Sequence, residues 1–186
     1  MKKMIILLST FLATLICYAD EPPCWCAFEE KSANGKYVAV VNRPKADSLI
    51  DPWKSVWTLT VYEYVGKRKK LLWKVKYDYS GYPDGILSND GQTFIYVEYW
   101  YYSNANMVAI YRNGKRINAP NLKGEDFKIP PHKLQQTVSH QRWLKIEGPA
   151  YNFVRTSNDK LLLRIQTIDD KIHFFDITNG KRVTDT

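Results

Sequence analysis

The stretch WTLTVYEYVGKRKKLLWKVKY, residues 57–77, decides the fold of this chain. Apolar side chains occupy positions 57, 59 and 61 in its first half and positions 71, 73, 75 and 77 in its second half, with mostly polar residues between them. Such alternation places one set of side chains on the buried face of a β-strand and the other set towards solvent. The stretch therefore predicts two half-buried strands, separated by a turn at Gly66-Lys67-Arg68.

Strand-like composition continues along most of the chain. Runs rich in Val, Ile, Thr, Tyr, Phe and Trp, which fit a pleated and half-buried surface, occupy residues 36–41, 93–100, 107–112, 152–155, 161–167 and 172–177. Dipeptides that accept positive φ and form tight hairpin turns lie among these runs: Asn34-Gly35, Asp90-Gly91, Asn113-Gly114 and Asn179-Gly180. Because a two-residue connection cannot join parallel strands, we predict an all-β fold of antiparallel sheets.

Two turn markers recur in the same order along the chain. A serine followed by Asn, Asp or Gly precedes an apolar strand at residues 32–35, 88–91 and 157–160. Gly-Lys-Arg follows a strand at residues 66–68, 114–116 and 180–182. The order is each time a serine turn, two strands, a basic turn and an outgoing strand, which predicts an internal structural repeat.

These markers resemble those of β-propeller blades of the TolB-like and WD40-like kind, in which a Ser-x-Asp/Asn-Gly-Lys turn introduces a strand and a Gly-Lys turn closes the next hairpin. The resemblance covers residues 32–118 and 150–184. The third copy has Lys160 where glycine is expected, and three copies are fewer than the four or more blades of a closed propeller. The resemblance therefore implies an incomplete propeller-like stack, or a β-sandwich that mimics the connectivity of blades. It also implies a rigid binding platform, which is a common role of such blades.

Residues 119–149 interrupt the repeat with four prolines and no clean alternation. Pro130-Pro131 predicts the start of a short helix from His132 to about His140, since proline suits the first helical turn. Leu134 and Val138 would share its inner face. We expect this insertion either to plug the open end of the sheets or to carry binding residues, as loops often do.

The N-terminus predicts export. Lys2 and Lys3 form a positive region, residues 4–17 form an uncharged apolar run, and Ala19 supplies the small residue needed at a cleavage site. The run is shorter than the roughly 20 apolar residues of a transmembrane helix. We therefore predict a bacterial signal peptide over residues 1–19, a single mature domain over residues 20–186 with no transmembrane segment, and a periplasmic or secreted location.

Charge and composition narrow the range of partners. Loss of Lys2 and Lys3 lowers the formal net charge from +8 to +6, a moderate excess that favours association with anionic surfaces. No basic tract or nucleic-acid-binding motif occurs in the sequence, so we predict no nucleic-acid partner.

Two cysteines, Cys24 and Cys26, remain in the predicted mature chain. Thiols this close are not expected to stay reduced in an oxidising compartment, which makes the pair a disulfide candidate. Pairing between two chains and a redox or metal role are the alternatives. Two sulfurs without a third ligand nearby are a weak metal signal, and we predict no metal site.

Catalytic signatures are missing from the sequence. It contains no Gly-x-Ser-x-Gly elbow, phosphate-binding glycine loop, His-Glu-x-x-His helix or Cys-x-x-Cys pair. We therefore predict no catalytic residues and no cofactor, and we interpret Asp169-Asp170 as a hairpin turn. The residues that an envelope hydrolase would use in this chain are His132, His140 and Glu147.

Two sets of side chains are candidates for a binding surface. Consecutive aromatic residues in a strand face both sides, so a tyrosine-rich run places rings outside the core, where they suit a protein partner or a sugar ring. This set comprises Tyr99, Trp100, Tyr101 and Tyr102, with Tyr96, Tyr77, Tyr79 and Tyr82 nearby. The second set is formed by the cations of the basic turns, which would line one rim: Lys67, Arg68, Lys115, Arg116, Lys181 and Arg182.

These features favour an exported, non-enzymatic binding protein that presents a β-sheet platform to a macromolecular partner of the cell envelope, either a protein or an envelope polymer. One variant is a periplasmic inhibitor or immunity protein that blocks an envelope hydrolase. A glycan-binding module is an alternative, and an envelope hydrolase is a weaker one.

Overall fold

A computed structural model describes residues 24–101, 107–117, 124–137 and 140–183 of this 186-residue chain. Nearly half of the described residues lie in β-strands, and the α-helix α1 (Gly124–Phe127) is a single turn. In chain order the strands are β1 (Phe28–Lys31), β2 (Tyr37–Asn42), β3 (Trp57–Val65), β4 (Arg68–Tyr77), β5 (Ile86–Leu87), β6 (Thr93–Val97), β7 (Trp100–Tyr101), β8 (Val108–Arg112), β9 (Lys115–Ile117), β10 (Gln135–Gln136), β11 (Gln141–Arg142), β12 (Tyr151–Arg155), β13 (Leu161–Gln166), β14 (Ile172–Asp176) and β15 (Arg182–Val183).

The strands form three four-stranded sheets and one small sheet. The first sheet has the order β1-β2-β3-β4, the second β5-β6-β8-β9 and the third β12-β13-β14-β15, while β10, β11 and β7 form the small sheet. Every pairing between neighbours is antiparallel. The prediction of an all-β fold made of antiparallel sheets is therefore confirmed.

The stretch at residues 57–77 forms the β3–β4 hairpin. Its register pairs Trp57 with Tyr77 at one end and Val65 with Arg68 at the other, with an irregularity between Val61 and Tyr62. The predicted inner face is buried near the Trp57 end, but Leu71 is 51% exposed. Beyond the irregularity the hairpin extends past the core, so alternation continues there without burial.

The first two serine turns make the same hydrogen bonds. The amides of Tyr37 and Thr93 donate to the hydroxyls of Ser32 and Ser88, at 3.0 and 2.9 Å respectively. The amides of Ser32 and Ser88 in return donate to the carbonyls of Tyr37 and Thr93, again at 3.0 and 2.9 Å. Each serine thus closes the turn that joins the first and second strands of its sheet.

The third turn differs from the expected alignment on Ser157. Here the hydroxyl of Thr156 takes the position of the serine hydroxyl and accepts from the amide of Lys160 at 3.1 Å. Positive φ falls on Asp159, at 59°, and aspartate tolerates this conformation better than most residues. Glycine is consequently not needed at position 160.

Both turn markers occur at equivalent connections in the three large sheets. The serine-type turns join the first strand to the second, and the Gly-Lys-Arg turns join the third strand to the fourth. In an antiparallel sheet with sequential strand order, these two connections lie at the same end. The internal repeat and the resemblance to propeller blades both stay predictions.

The second sheet lies between two hydrophobic clusters. This position explains why β6 has apolar side chains at successive positions. Phe94 and Tyr96 pack in a cluster with the first sheet, whereas Ile95 and Val97 pack in a cluster with the third sheet and the insertion. All five residues of β6 are buried. A strand covered on both faces needs apolar side chains at successive positions.

The insertion contains a short α-helix, α1, but the predicted position of that helix, from His132 to about His140, is wrong. A 3-10 turn covers Pro131–Lys133, and the chain then extends into β10, which pairs with β11. Extended pairing satisfies the backbone groups that a helix would otherwise have satisfied internally. Val138, the second predicted residue of the inner face, lies outside the described residues.

The insertion contributes side chains to the core, and its role as a plug stays a prediction. Trp143 is 0% exposed, and it packs in the cluster shared by the second and third sheets. Phe127 of α1 lies against it, with ring centroids 4.4 Å apart.

The predicted signal peptide lies outside the described residues. Among the residues that are described, no helix has the length and apolar character to cross a membrane.

Candidate binding site where three sheets meet

A cavity of about 380 Å³ lies where the first strands of the three large sheets come together. Each of these strands, β1, β5 and β12, stands at the edge of its own sheet. The lining residues come from the three strands, from the two serine turns and from the start of β13: Glu30, Lys31, Ala33, Ile86, Leu87, Asn89, Asp90, Asn152, Phe153, Arg155 and Leu161.

The walls of this cavity combine apolar side chains with charges of both signs. Asp90 is fixed within its turn, since its carboxylate accepts from the Ser88 hydroxyl at 2.5 Å and from the Gln92 amide at 3.0 Å. Arg155 forms an ion pair with Asp159 at 2.8 Å. The charged groups on opposite walls are therefore partly positioned before any ligand arrives.

Two carboxyl groups with raised pKa values lie on this side of the molecule. Burial, and then the charge of Asp84, raises the pKa of Glu30. Burial also raises the pKa of Asp84, although hydrogen bonds from Tyr151 and from the Gly85 amide oppose the shift. The two groups disfavour each other's ionised form, so a donor or cation placed between them would be stabilised.

A partly buried hydrogen bond joins the segment before β5 to the third sheet. The hydroxyl of Tyr151 donates to Asp84 at 2.7 Å, and the Gly85 amide donates to the other oxygen of the same carboxylate at 2.7 Å. The ring of Tyr99 meets Tyr151 edge to face at 6.1 Å between centroids. Sequence reasoning missed this contact because Asp84 and Tyr151 are 67 residues apart and neither lies in a repeated marker.

The predicted aromatic surface is packed inside the molecule for several of its members. Tyr96 is 5% exposed, and its hydroxyl donates to Glu98 at 2.6 Å. Tyr99 is half-buried, with the Arg142 guanidinium 5.8 Å from its ring centroid. Tyr77 is buried too, and Tyr79 and Tyr82 are half-buried against the hydrophobic cluster between the first and second sheets.

The remaining members of that aromatic set extend beyond what the structure describes. Trp100 and Tyr101 form β7, which pairs with β11, but their side chains lie outside the described residues, as does all of Tyr102. An outward-facing aromatic surface at these three positions stays a prediction.

All six cations of the basic turns are exposed: Lys67, Arg68, Lys115, Arg116, Lys181 and Arg182. Two of the arginines contact other parts of the chain. Arg116 forms an ion pair with Asp78, and Arg182 donates to His173 Nδ1 and to the carbonyl of Asp126. Each basic turn lies at the same end of its own sheet as the serine turn, but none of the six cations lines the cavity.

The candidate residues for hydrolysis lie on separate segments. His132 is exposed in the 3-10 turn, His140 is half-buried before β11, and Glu147 is exposed in the following loop. None of the three lines the cavity. Asp169 and Asp170 form the turn between β13 and β14, and the described residues include no cluster of three or more His, Cys, Asp or Glu suited to hold a metal ion.

Cys24 and Cys26 are joined by a disulfide, with their Cα atoms 5.3 Å apart. The bridge lies just before β1 and holds Trp25 between its two cysteines.

Comparison with known proteins adds no relative from which a function could be carried over: no protein-family model matches this chain, and no curated protein is significantly similar to it in sequence.

Proposed function

We propose that this protein is an exported, non-enzymatic binding protein of the cell envelope that receives an extended segment of a protein partner in the cavity between its three sheets. The observation that carries this proposal is the convergence of three edge strands on one cavity. Export rests on the predicted signal peptide over residues 1–19.

Edge strands provide the backbone groups that an extended peptide can pair with. One side of β1, β5 and β12 is paired within its sheet, and the other side has no partner among the described strands. A peptide added to such an edge gains main-chain hydrogen bonds, and pockets for alternate side chains give specificity. Leu87 and Phe153 form apolar parts of the cavity wall, which such side chains could contact.

The charges in the cavity lining favour a segment that carries both acidic and basic side chains. Lys31 and Arg155 lie in the lining, and so do Glu30 and Asp90. Charges on the segment that complement those of the lining fix its register and disfavour wrong pairings. An envelope hydrolase blocked by this protein would be one partner of this kind.

A selection of binding peptides tests this proposal. The peptides are selected from a displayed random library by their binding to the wild-type protein, and the Kd of each selected peptide is measured by fluorescence anisotropy. Ala33 is an exposed turn residue that lines the cavity, so Ala33→Trp fills the cavity with little effect on the core. We expect Ala33→Trp to weaken peptide binding by at least about tenfold. The matched control is Ala46→Trp, an exposed alanine elsewhere on the first sheet's β2–β3 connection, which should bind as the wild type does.

Two results would contradict the proposal. Selected peptides that bind Ala33→Trp as tightly as the wild type would place the site elsewhere. Turnover of an envelope substrate that disappears in His140→Ala would show that the protein is an enzyme instead.

A further inference from the structure

A second cavity, of about 310 Å³, lies at the opposite end of the first sheet from its serine turn. Its size is at the lower end of the range for small-ligand sites, about 300–1,000 Å³. Three tryptophans and several polar side chains line it: Trp25, Trp53, Ser55, Trp57, Lys76, Tyr77, Asp78, Tyr79 and Ser80. We call this cavity the tryptophan groove.

We propose that the tryptophan groove is a saccharide-binding site, in which a pyranose ring of an envelope glycan stacks on the indole of Trp53 and is flanked by Trp25. This site is distinct from the cavity assigned to a peptide, and neither proposal depends on the other.

A disulfide and a pair of hydrogen bonds fix the two cysteines on either side of Trp25. The disulfide closes the chain around it, and the Tyr79 hydroxyl lies 3.0 Å from the carbonyl oxygens of both Cys24 and Cys26, to which it donates. The ring of Trp25 meets Tyr79 edge to face at 5.5 Å. The ring centroids of Tyr79 and the buried Trp57 are 4.6 Å apart. The wall of the groove is therefore packed against the core.

Trp53 is 59% exposed although the turn that carries it is held firmly. The Arg43 guanidinium donates to the Ile50 carbonyl at 2.8 Å and to the Ser55 hydroxyl at 3.1 Å. The indole N–H of Trp57 donates to the Pro52 carbonyl at 2.9 Å. A large ring that is exposed on a fixed turn is preorganised for a ligand, so binding requires little loss of conformational entropy.

The chemistry of the groove matches a sugar on two counts. The electron-rich face of an indole attracts the polarised C–H groups on one face of a pyranose ring, for the same electrostatic reason that it attracts the positive edge of another ring. The hydroxyls at the rim of the sugar need both donors and acceptors, and Lys76, Ser55 and the Asp78 carboxylate supply them. Asp78 is oriented by its ion pair with Arg116.

The same groups argue against a bilayer as the occupant. Leu49 and Ile50 are exposed near Trp53, and an apolar turn of this kind can enter a lipid interface. However, a turn inserted as deep as the groove would take Lys76 and Asp78 out of water, and burying charged groups without full compensation is costly. A polar ligand that leaves the charges partly hydrated avoids this cost.

Quenching or blue shift of tryptophan fluorescence tests the proposal, with Kd values confirmed by calorimetry. The probes are cellotetraose, maltotetraose, chitotetraose and soluble peptidoglycan glycan strands. We expect at least one probe to bind the wild type, and Trp53→Ala to weaken that binding by at least about tenfold. Trp53→Tyr should retain part of the affinity, because it keeps a ring on which the sugar can stack.

The matched control is Ile172→Ala, which removes another exposed apolar side chain, one that does not line the groove. Its saccharide affinity should equal that of the wild type. Failure of all four probes to bind, or binding that is unchanged in Trp53→Ala, would overturn the proposal. So would sedimentation with anionic vesicles that depends on Trp53 while no saccharide binds. Since Ala33→Trp leaves the groove intact, loss of the peptide site alone would not affect these measurements.

Discussion

Asn34 and Asn89 form two hydrogen bonds that join the first and second sheets. The backbone amide of Asn34 donates to the side-chain oxygen of Asn89 at 2.9 Å, and the side-chain nitrogen of Asn34 donates to the backbone carbonyl of Asn89 at 2.8 Å. Each residue lies in the serine turn of its own sheet. The two equivalent turns therefore contact each other directly at the mouth of the cavity between the sheets.

Asn89→Ala should lower the free energy of unfolding by about 0.5–1.5 kcal/mol, because it removes the acceptor of one of these hydrogen bonds. Urea denaturation followed by circular dichroism measures the change. The control is Asn158→Ala, which truncates an exposed asparagine in the corresponding turn of the third sheet. An equal loss in both variants would show that the Asn34–Asn89 hydrogen bonds do not stabilise the contact between the two sheets.

Gly35 and Gly91 offer a matched test of the same two turns. Both have φ of +68°, but a Cβ at Gly35 would meet nothing within 4 Å, whereas a Cβ at Gly91 would lie 2.5 Å from the Tyr37 ring. Gly35→Ala should cost only the strain of positive φ, about 1–2 kcal/mol. Gly91→Ala should cost at least about 1 kcal/mol more, since the Tyr37 ring must move as well.

Thermal unfolding of the two glycine variants in parallel gives this comparison. Equal destabilisation would mean that the ring of Tyr37 does not pack on the second turn. A milder effect at Gly91 than at Gly35 would contradict the packing of the two sheets.

Local patterns were sufficient to predict the strands, because both alternation and turn chemistry operate over a few residues. Residues 57–77 specify a hairpin in this way, and the serine turns close by hydrogen bonds within six residues. The helix expected at His132 failed because its competitor was β11, a partner that no local pattern shows. Much of the site was missed for the same reason: contacts such as that of Asp84 with Tyr151 join distant segments.

Removal of the Trp143 ring should destabilise the protein strongly. The side chain is fully buried in the cluster shared by the second and third sheets, and its indole nitrogen donates to the Glu98 carbonyl. Trp143→Ala should lower the free energy of unfolding by about 3–5 kcal/mol. The control is Trp53→Ala at an exposed ring, for which we expect a loss within about 0.5 kcal/mol. Chemical denaturation with comparable effects for both variants would contradict the role of the insertion in the core.

His173 should make the protein less stable in mild acid. Its side chain is 2% exposed, and burial, followed by the charge of Arg182, lowers its pKa from 6.5 to about 4. Asp169, which opposes this shift, and Lys171 are the other charged groups that act on it. Between these two pH values the unfolded chain binds the proton that the folded chain excludes, so stability falls as the pH falls from 6.5 to 4.

The contribution of His173 over that interval should be about 2 kcal/mol, allowing for solvent screening. His173→Gln abolishes the titration, and its free energy of unfolding should therefore change less with pH than that of the wild type. His132→Gln, at an exposed histidine, serves as the control and should follow the wild-type curve. Parallel curves for the wild type and His173→Gln would contradict the excluded proton.

The Tyr151–Asp84 hydrogen bond should hold the second and third sheets together in a pH-dependent way. Tyr151→Phe leaves a partly buried carboxylate with one donor fewer, which should cost about 1–3 kcal/mol at pH 7. Burial already raises the pKa of Asp84, and loss of the hydroxyl should raise it further. Protonation of the folded form then relieves the penalty, so the deficit relative to the wild type should shrink as the pH falls through that raised pKa.

Adding Asp84→Asn to Tyr151→Phe removes the charge that needs the donor, and we expect this second change to recover part of the lost stability at pH 7. Tyr64→Phe, a hydroxyl deletion on the β3–β4 hairpin, controls for loss of a phenol elsewhere and should show no pH-dependent deficit. Urea denaturation of all four proteins at pH 7 and pH 5 separates the outcomes. A deficit in Tyr151→Phe that grows as the pH falls would mean that the ionised carboxylate is stabilised by other groups, and the bond between the sheets would then contribute little.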